Sequence, residues 1–590
     1  MSENNVISAF LKTAKERGGA TCAIVKEHGK WKHICWNEVS RRVLSMAAAL
    51  RRMGLKKGDA VAVMATTRLE WTISDCAIMA CGGITVPIYC AFTQDRIRTI
   101  LRDCTPHMAI VEDASVATLL VEAHKSNGFQ DEIRIIGVEK EAASVSVQDL
   151  MCASSSEEMK DVERGARSLT ADDVATYVYT SGTSGELKGV IITHGMILTE
   201  IRATEHVFNF SHNDIGLVCL PLAHVLGRLM QFYQIIHGTQ SAYAESLEKL
   251  AENYAEIKPH FVCGVPRMLE KIHERVESYI EKAPARVRKL VRWGISIGKT
   301  RSELIQKKRL IPFELKFLHI IADILVFRRL RSRLGGRLRC FICGGGKLSL
   351  EIAKFFHVAG ILVLEGYGLT ESFAAATVNR PDDFRFGTVG KPVPGVALKI
   401  ASDGEILLKG PTVFSKYLHR PEETDAAFDS EGWFKTGDLG EYSRDGFLRI
   451  TGRKKDMIVT AGGKNIAPQR IEAIMSDSPY ISHFMVNGDG RKYLTALVTL
   501  NEAKVIKYLR NLGHEVLEEH KLSGHPEVYT LIKRHIEEKN SKLARFETIK
   551  RFAIIDSDFS VAGGELTPTL KVRRQYASDK YRKVLDSLYE

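Results

Sequence analysis

The sequence predicts an α/β protein in which a large N-terminal body of stacked mixed and parallel sheets with flanking helices, plus a β subdomain, precedes a small α+β C-terminal domain. Three observations carry this. Short apolar runs alternate with helical patterns from residue 36 onward, the order expected of parallel strands covered by helices. A chain of 590 residues is too long for one core and implies two to four domains. Past Gly387 the texture changes to short strands punctuated by turn residues, as in 404–410, 432–440 and 444–450.

Taken in order, residues 36–52 carry apolar positions at helical spacing behind Asn37 as a cap. A strand at 60–64, a helix over 71–80, a strand at 84–88, a helix over 94–104 and a strand at 108–111 follow. Residues 154–170 are rich in Ser, Glu and Lys and read as a linker or surface loop. Beyond it, 215–221 and 261–266 are strand-like runs ending in proline, each followed by a helical pattern. Strands at 341–346 and 361–364 each end in glycine-rich turns. No internal repeat or low-complexity tract is visible.

Composition narrows the class. Hydrophobic content of 45% with 26% charged residues is that of a globular protein. Residues 1–19 lack the apolar core and cleavage site of a signal peptide, and no run of 18 apolar residues occurs, the nearest being 76–88. An intracellular, cytoplasmic protein is expected. The eleven cysteines read as reduced core thiols; Cys340 and Cys343 form a Cys-x-x-Cys pair, but no second pair or nearby His completes a zinc site.

The net charge of +12 is concentrated. Residues 286–339 hold 16 Lys or Arg against Glu303, Glu314 and Asp323, an excess of 13, so the rest of the chain is nearly neutral. Because apolar clusters interleave with the basic ones, the segment suits peripheral contact with anionic membrane at the inner face. A solvated basic face over an ordinary core helix is the equal alternative. Nucleic acid is excluded as a partner, since no helix-turn-helix, zinc or aromatic-ladder pattern accompanies the charge.

The chemistry centres on residues 177–190. An aromatic and β-branched strand at 177–180 runs into small and hydroxyl residues, Ser181, Gly182, Thr183, Ser184 and Gly185, before Lys188 and the apolar run 190–192. Small residues let backbone N–H groups approach an anion, hydroxyls add donors, and lysine supplies a point charge. This is a phosphate loop, though without the Gly-Lys-Ser/Thr triplet of a Walker A motif. Gly344, Gly345 and Gly346, and then Gly366-Tyr367-Gly368, stand where strands stop; such turns admit a flat ligand at the C-terminal ends of parallel strands. Tyr367 can stack on a base, Glu371 can hold a metal, and Asp438 can accept from a ribose diol.

The combination of Tyr179 to Gly189, Pro221-Leu222-Ala223-His224, Gly366 to Glu371, Thr436-Gly437-Asp438, Gly452 to Asp456 and Pro568 to Lys571 resembles the AMP-forming acyl-CoA synthetase superfamily. The motifs occur in that family's order and cover the chain from Trp36 onward. The wording at 265–272, 333–338 and 564–571 is most similar to the long-chain fatty acid branch. Leu187 departs from the family's usual proline, which loosens the loop without removing a charge. Gly227 and Lys347 look unusual at what resembles the substrate-pocket edge, and so bear on chain length.

The resemblance implies a ligase that uses ATP, Mg²⁺ and CoA, with a fatty acid as partner substrate. Thr180, Ser181, Gly182, Thr183, Ser184, Gly185 and Lys188 would hold the β and γ phosphates, Thr370 the α-phosphate, and Glu371 the metal. Gly344 to Gly346 and Gly366 to Gly368 would frame adenine, with Asp438 and Arg453 on the ribose. His224 would wall the acyl carboxylate, and Lys571 would bridge carboxylate and α-phosphate in the first step only. Lys455 matches a hinge and Gly463 a pantetheine channel. The implied domains are 1–453, binding ATP and fatty acid, and a mobile 454–590 carrying the catalytic lysine. An acyl carrier protein as acceptor stays open; so, from another class, does a silent lipid-binding scaffold.

Overall fold

In the computed structural model, residues 3–129, 132–181, 186–205, 207–514, 522–567 and 571–590 are described. The chain divides into two compact units. The first comprises Met1–Lys399, Leu407–Thr436 and Ser443–Leu448, and the second Ile400–Ile406, Gly437–Tyr442 and Arg449–Glu590.

Two sheets organise the first unit. One has six strands in the order Arg134–Gly137, Met108–Val111, Ala60–Met64, Ile84–Pro87, Val174–Ser181 and Leu187–Thr193. Its pairs are parallel except the last, which is antiparallel. The strands Ala60–Met64, Ile84–Pro87 and Met108–Val111 are buried throughout, which explains their continuous rather than alternating apolar pattern. The other sheet has nine strands, with a parallel centre made of Leu362–Tyr367, Cys340–Cys343, Phe261–Gly264, Ile215–Val218, Gln240–Tyr243 and Thr21–Glu27. Each sheet lies against its own apolar cluster, one around Phe341, Phe356 and Tyr254, the other around Ile97, Val111 and Leu120.

A third sheet has the order Ala397–Ile400, Glu405–Lys409, Phe434–Tyr442 and Leu448–Arg453, the β region expected past Gly387. The second unit has a three-stranded sheet of Ile481–Asn487, Leu494–Leu500 and Ile549–Ile554, which packs helices such as Pro526–Asn540 through Val528, Ile532 and Ile536.

Local expectations fare unevenly. Helices Gln94–Cys104 and Leu69–Ala80 stand where the pattern puts them. The helix Trp36–Arg52 is preceded by Cys35, without a side-chain cap, so Asn37 is inside its first turn and is not the cap. The 154–170 stretch is no linker, for it contains a helix, Ser156–Arg167. A reciprocal Ser155 and Glu158 capping box starts it, and Val162 and Ala166, one helical turn apart, bury its inner face. Polar composition hid a narrow apolar stripe. Cys340 and Cys343 lie in a fully buried strand, and all eleven cysteines are free thiols.

Candidate active site

In the first unit the phosphate-loop segment connects two antiparallel strands, Val174–Ser181 and Leu187–Thr193, with Thr180 opposite Lys188 and Ser181 opposite Leu187. Gly182, Thr183, Ser184 and Gly185 lie outside the described residues. Leu187 is buried in the core of this sheet, so the residue that replaces proline anchors the second strand. Gly189 carries no side chain for a packing reason: a Cβ there would come within 3.1 Å of the Tyr179 ring and 3.3 Å of Leu418. The Leu418 N–H donates to the Gly189 carbonyl at 2.8 Å, and the Tyr179 hydroxyl donates to Asp103 at 2.8 Å.

That packing brings Tyr417 to the site. The Lys188 ammonium stands 5.2 Å from the centre of the Tyr417 ring, within cation–π range, and the Tyr417 hydroxyl donates to Glu371 Oε1 at 2.9 Å. Burial first, and then the Glu371 charge, push the Tyr417 phenol far above its ordinary value, so it remains a donor. Glu371 itself is buried, in the short turn Thr370–Ser372. The turn is braced by Ser372, whose hydroxyl accepts from the Leu369 N–H at 3.0 Å, and by the Phe414 N–H donating to the Glu371 carbonyl at 2.7 Å. Phe373 (φ 44°) and Ala374 (φ 84°) follow in the left-handed region that side chains disfavour. The buried Phe373 ring pins that conformation.

The two glycine turns are neighbours because their strands pair, with Cys343 opposite Glu365. A Cβ on Gly344 would lie 3.2 Å from Leu226 and 3.6 Å from the Gly366 carbonyl. One on Gly368 would fall 1.6 Å from the Ala374 carbonyl oxygen, so only glycine fits. Gly345 needs its freedom for another reason, a φ of 79°. Tyr367 ends the strand half-buried, paired with Thr377. His224 caps the helix Val225–His237, its Nδ1 accepting from the Leu226 N–H at 3.1 Å, which leaves the proton on Nε2.

One turn along the same helix is a residue that sequence reasoning missed. Arg228 is fully buried; it donates to Asp75 at 2.5 Å and to Thr176 at 2.5 Å, and its guanidinium lies over Trp71. Thr176 belongs to the strand that leads into the phosphate loop, so one guanidinium ties His224's helix to that strand. A lone arginine inside the apolar run 225–236 was the available signal, since such a charge persists only when paired. Tyr417 gave no comparable signal, standing between motifs with no periodic pattern around it.

Gly227 lines a narrow apolar cavity with Leu217, Leu220, Met230, Phe261 and Cys263. Its free space is about that of a single water, too little for an acyl chain with these side chains as they stand. The Lys347 charge acts on Glu365 rather than lining this cavity.

The second unit gathers the other candidates. Asp438 is buried on the strand Phe434–Tyr442, and Arg453 on the strand Leu448–Arg453 donates to both its oxygens, at 2.6 and 3.3 Å. A bidentate fork of this kind fixes the carboxylate's orientation. Lys454 donates to Asp403 at 2.7 Å and Glu405 at 2.9 Å, while Glu405 also accepts from the Gly437 N–H at 2.9 Å. Lys455 follows in the turn Lys454–Asp456, exposed. Gly463 is apart from this group, at an exposed turn between Ile458–Val459 and Asn465–Ile466 with φ 70°.

Lys571 is clasped by Thr567, whose hydroxyl accepts its N–H at 3.0 Å and whose N–H donates to its carbonyl at 2.8 Å. The residue counts as exposed, yet its ammonium is held below the usual lysine value, by loss of water first and then by the Arg453 charge, with Asp438 opposing. Pro568, Thr569 and Leu570 lie outside the described residues.

Could these residues hold a divalent cation? Glu371 offers a buried carboxylate with one oxygen already oriented by Tyr417, the hard oxygen ligand that Mg²⁺ prefers. Among the described residues no cluster of three His, Cys, Asp or Glu exists to cage an ion. The donor set therefore fits a cation completed by water and substrate phosphate oxygens.

Sheets with glycine turns at their strand ends, a Lys/Tyr/Glu chain and a second unit bearing an Asp/Arg fork define an adenylate-forming enzyme. A family model described as AMP-binding enzyme matches residues 10–418, and one described as AMP-binding enzyme C-terminal domain matches 455–590; the chain belongs to this family. It is 34% identical over 574 residues, 95% of this chain and 93% of the relative, to a Mycobacterium tuberculosis protein named long-chain-fatty-acid–CoA ligase FadD15. To the Bos taurus long-chain-fatty-acid–CoA ligase ACSBG1 it is 29% identical over 621 residues, 98% of this chain and 84% of the relative. In fold it is similar to ATP-bound MatB from Rhodopseudomonas palustris, with a TM-score of 0.73 at 21% identity over 98% of this chain and 99% of that one.

Proposed function

We propose that this protein is an AMP-forming long-chain fatty acid–CoA ligase, converting ATP, a fatty acid and CoA to acyl-CoA, AMP and pyrophosphate. The observation that carries the reading is the chain Lys188–Tyr417–Glu371, which puts a cation, a locked donor and a buried carboxylate beside glycine-lined strand ends. A carboxylate is a poor electrophile. Its oxygen therefore attacks the α-phosphorus of ATP, the bond to the β-phosphate oxygen breaks, and pyrophosphate leaves. The CoA thiol, losing its proton, then attacks the acyl carbon of the adenylate and AMP leaves.

Both steps gather negative charge on crowded oxygens, which positioned donors stabilise. Thr180 and Lys188 would hold the β and γ phosphates and Thr370 the α-phosphate, while Gly344 to Gly346 and Tyr367 would frame adenine. The Arg453 fork presets Asp438 to receive the ribose hydroxyls. Glu371 would ligate Mg²⁺, which when bound neutralises phosphate charge. His224, with its proton on Nε2, would face the acyl carboxylate. Lys571 would bridge carboxylate and α-phosphate in the first step, then withdraw by rotation at Lys455, with Gly463 lining the path of the pantetheine thiol. The basic segment 286–339 is read as a contact with anionic membrane.

The test is mass spectrometry of products from ATP, Mg²⁺ and fatty acids of graded length, with and without CoA. Acyl-CoA over one window of lengths is the expected result. Acyl-adenylate without acyl-CoA would move the acceptor to a carrier protein, and the absence of both products would overturn the reading.

A further inference from the structure

The sheet strands Phe261–Gly264 and Cys340–Cys343 are adjacent and parallel, yet residues 265–339 separate them in sequence. About a dozen residues suffice for such a crossover, so most of this connection serves something else. It holds the helices Pro266–Lys282, Ala285–Gln306 and Phe313–Ala322, then the π-helical turn Asp323–Phe327 and the helix Arg328–Ser332.

The run from Phe313 to Phe327 is apolar on two faces. Its inner face buries Ala322, Val326 and Phe327 against Val358, Leu290, Val291 and Ile297. The approach is close, since a Cβ on Gly294 would lie 3.1 Å from Val326 and one on Gly298 3.1 Å from Phe327. The outer face has no such cover. Phe313, Phe317, Ile320 and Ile324 fall at i, i+4, i+7 and i+11, one stripe, and are 83, 57, 57 and 52% exposed; Leu310, just before the helix, is 96% exposed. Scattered apolar residues on a surface need no explanation, but a contiguous stripe marks an interaction site.

The basic residues of 286–339 divide in the same way. Some knit the segment to the body: Arg337 donates to the Lys258 carbonyl at 2.8 Å, Arg339 pairs with Asp214, and Arg331 pairs with Asp323 at 2.7 Å. Others flank the stripe and are exposed: Lys307, Lys308 and Arg309 before it, Lys316 beside it, Arg328 and Arg329 after it, of which Lys308 and Arg328 also stand 3.5 Å from Asp383 and Asp323. Among the described residues no helix is long and apolar enough to cross a membrane. The run from Phe313 to Phe327 is shorter than the roughly 20 residues a span needs. Apolar residues below and cations around the rim are the pattern of a helix that lies in a bilayer interface.

We infer that the helical run Phe313 to Phe327 is a membrane-docking element that inserts Leu310, Phe313, Phe317, Ile320 and Ile324 into a bilayer of anionic lipid. A second copy of the chain is a poorer occupant, because a two-fold contact through this stripe would bring like-charged rims together. The docking stands independently of the ligase reading; its use rests on that reading. A long-chain fatty acid dissolves in bilayers, and this element lies in the crossover between two strands, one of which carries the cavity residue Cys263 while the other runs into Gly344 to Gly346.

Flotation of the full chain with vesicles of phosphatidylcholine, alone or with a quarter phosphatidylglycerol, tests this. Two variants accompany it, one combining Phe313→Ser, Phe317→Ser, Ile320→Ser and Ile324→Ser, the other Lys307→Glu, Lys308→Glu and Arg309→Glu. The unaltered protein should float with the anionic vesicles, and each variant should partition at least about tenfold less. A protein that stays at the bottom, or a serine variant that floats as well as its parent, would overturn the proposal. So would a dimer that the serine variant splits, with neither form floating. Turnover of detergent-dispersed fatty acid, measured alongside, should be unchanged in the variants and shows that they are folded. A parent that floats but forms no acyl-CoA would remove the ligase reading and leave the docking intact.

Discussion

Lys188 and Lys571 are both proposed to meet phosphate oxygens, and the two units hold them differently. Lys188 is on a paired strand, opposite Thr180, with its ammonium over a Tyr417 ring that Glu371 fixes in turn. Lys571 is clasped by Thr567, its ammonium under the opposed influence of Arg453 and Asp438. The first arrangement fixes a charge on a paired strand; the second leaves its placement to the Thr567 contact. A group that waits in place for ATP suits the former, and one that must leave the reacting centre after the first step suits the latter.

The widest separation between them should come from Lys571→Ala. Adenylate formation is expected to fall by about 10² or more, the scale of a lost transition-state charge contact, while thioester formation from supplied acyl-adenylate largely survives. Equal loss in both halves would mean that Lys571 is not confined to the first step. Because the Lys571 ammonium is held below the usual lysine value, adenylation should also fall on the alkaline side earlier than an ordinary lysine would allow, and the thioester half should not.

Lys455→Pro attacks the same distinction from the backbone. Proline fixes φ in the turn Lys454–Asp456, so thioester formation should drop by about tenfold or more while adenylation is spared. Normal overall turnover would remove Lys455 as the point of rotation. On the other side of the comparison, Tyr417→Phe leaves the ring under Lys188 but withdraws the hydroxyl from Glu371. A hydrogen bond to a charged group is worth about 1.5–3 kcal/mol, so kcat/KM for ATP should fall by about tenfold, in both the presence and absence of CoA. An unchanged value across a Mg²⁺ titration would show that Tyr417 does not orient that carboxylate.

Much of this arrangement was legible before any coordinates. The strands at 60–64 and 108–111, the helix at 94–104, and the glycine turns after Cys343 and Glu365 all followed from patterns that depend on near neighbours. Asp438 and Arg453 were both readable as candidates, but not their bidentate pairing, because they meet across strands 15 positions apart. Tyr417 and Arg228 were out of reach for a related reason: each acts through partners 46 to 229 positions distant in the chain or on other elements, and no local periodicity encodes that. The helix Ser156–Arg167 was missed although its capping box is a local signal, because two buried residues are a faint stripe in a polar stretch.

The smallest expected effect concerns stability, and it should separate the units by sign. In the first unit, burial raises the Glu365 carboxyl to about 8, against the opposing Gly387 N–H and Lys347 charge. Below the ordinary value of 4.5 both folded and unfolded chains hold this proton; between there and about 8 only the unfolded chain releases it, so stability falls as pH rises. In the second unit, burial of Asp558 is outweighed by hydrogen bonds from His483, Ser482 and Thr499, which hold its carboxyl well below the usual range. That contribution is complete above the ordinary value of 3.8 and is lost as pH falls through the depressed one. Thermal unfolding followed from pH 3 to 9 should therefore show Glu365→Gln gaining on the parent by a few degrees as pH rises, roughly the shift expected for one or two kcal/mol in a large chain. Asp558→Asn should lose most at neutral pH and converge on its parent in acid. A Glu365→Gln gap that stays constant with pH would mean the carboxyl is not buried as a neutral acid, and the opposition of sign between the two units would fail with it.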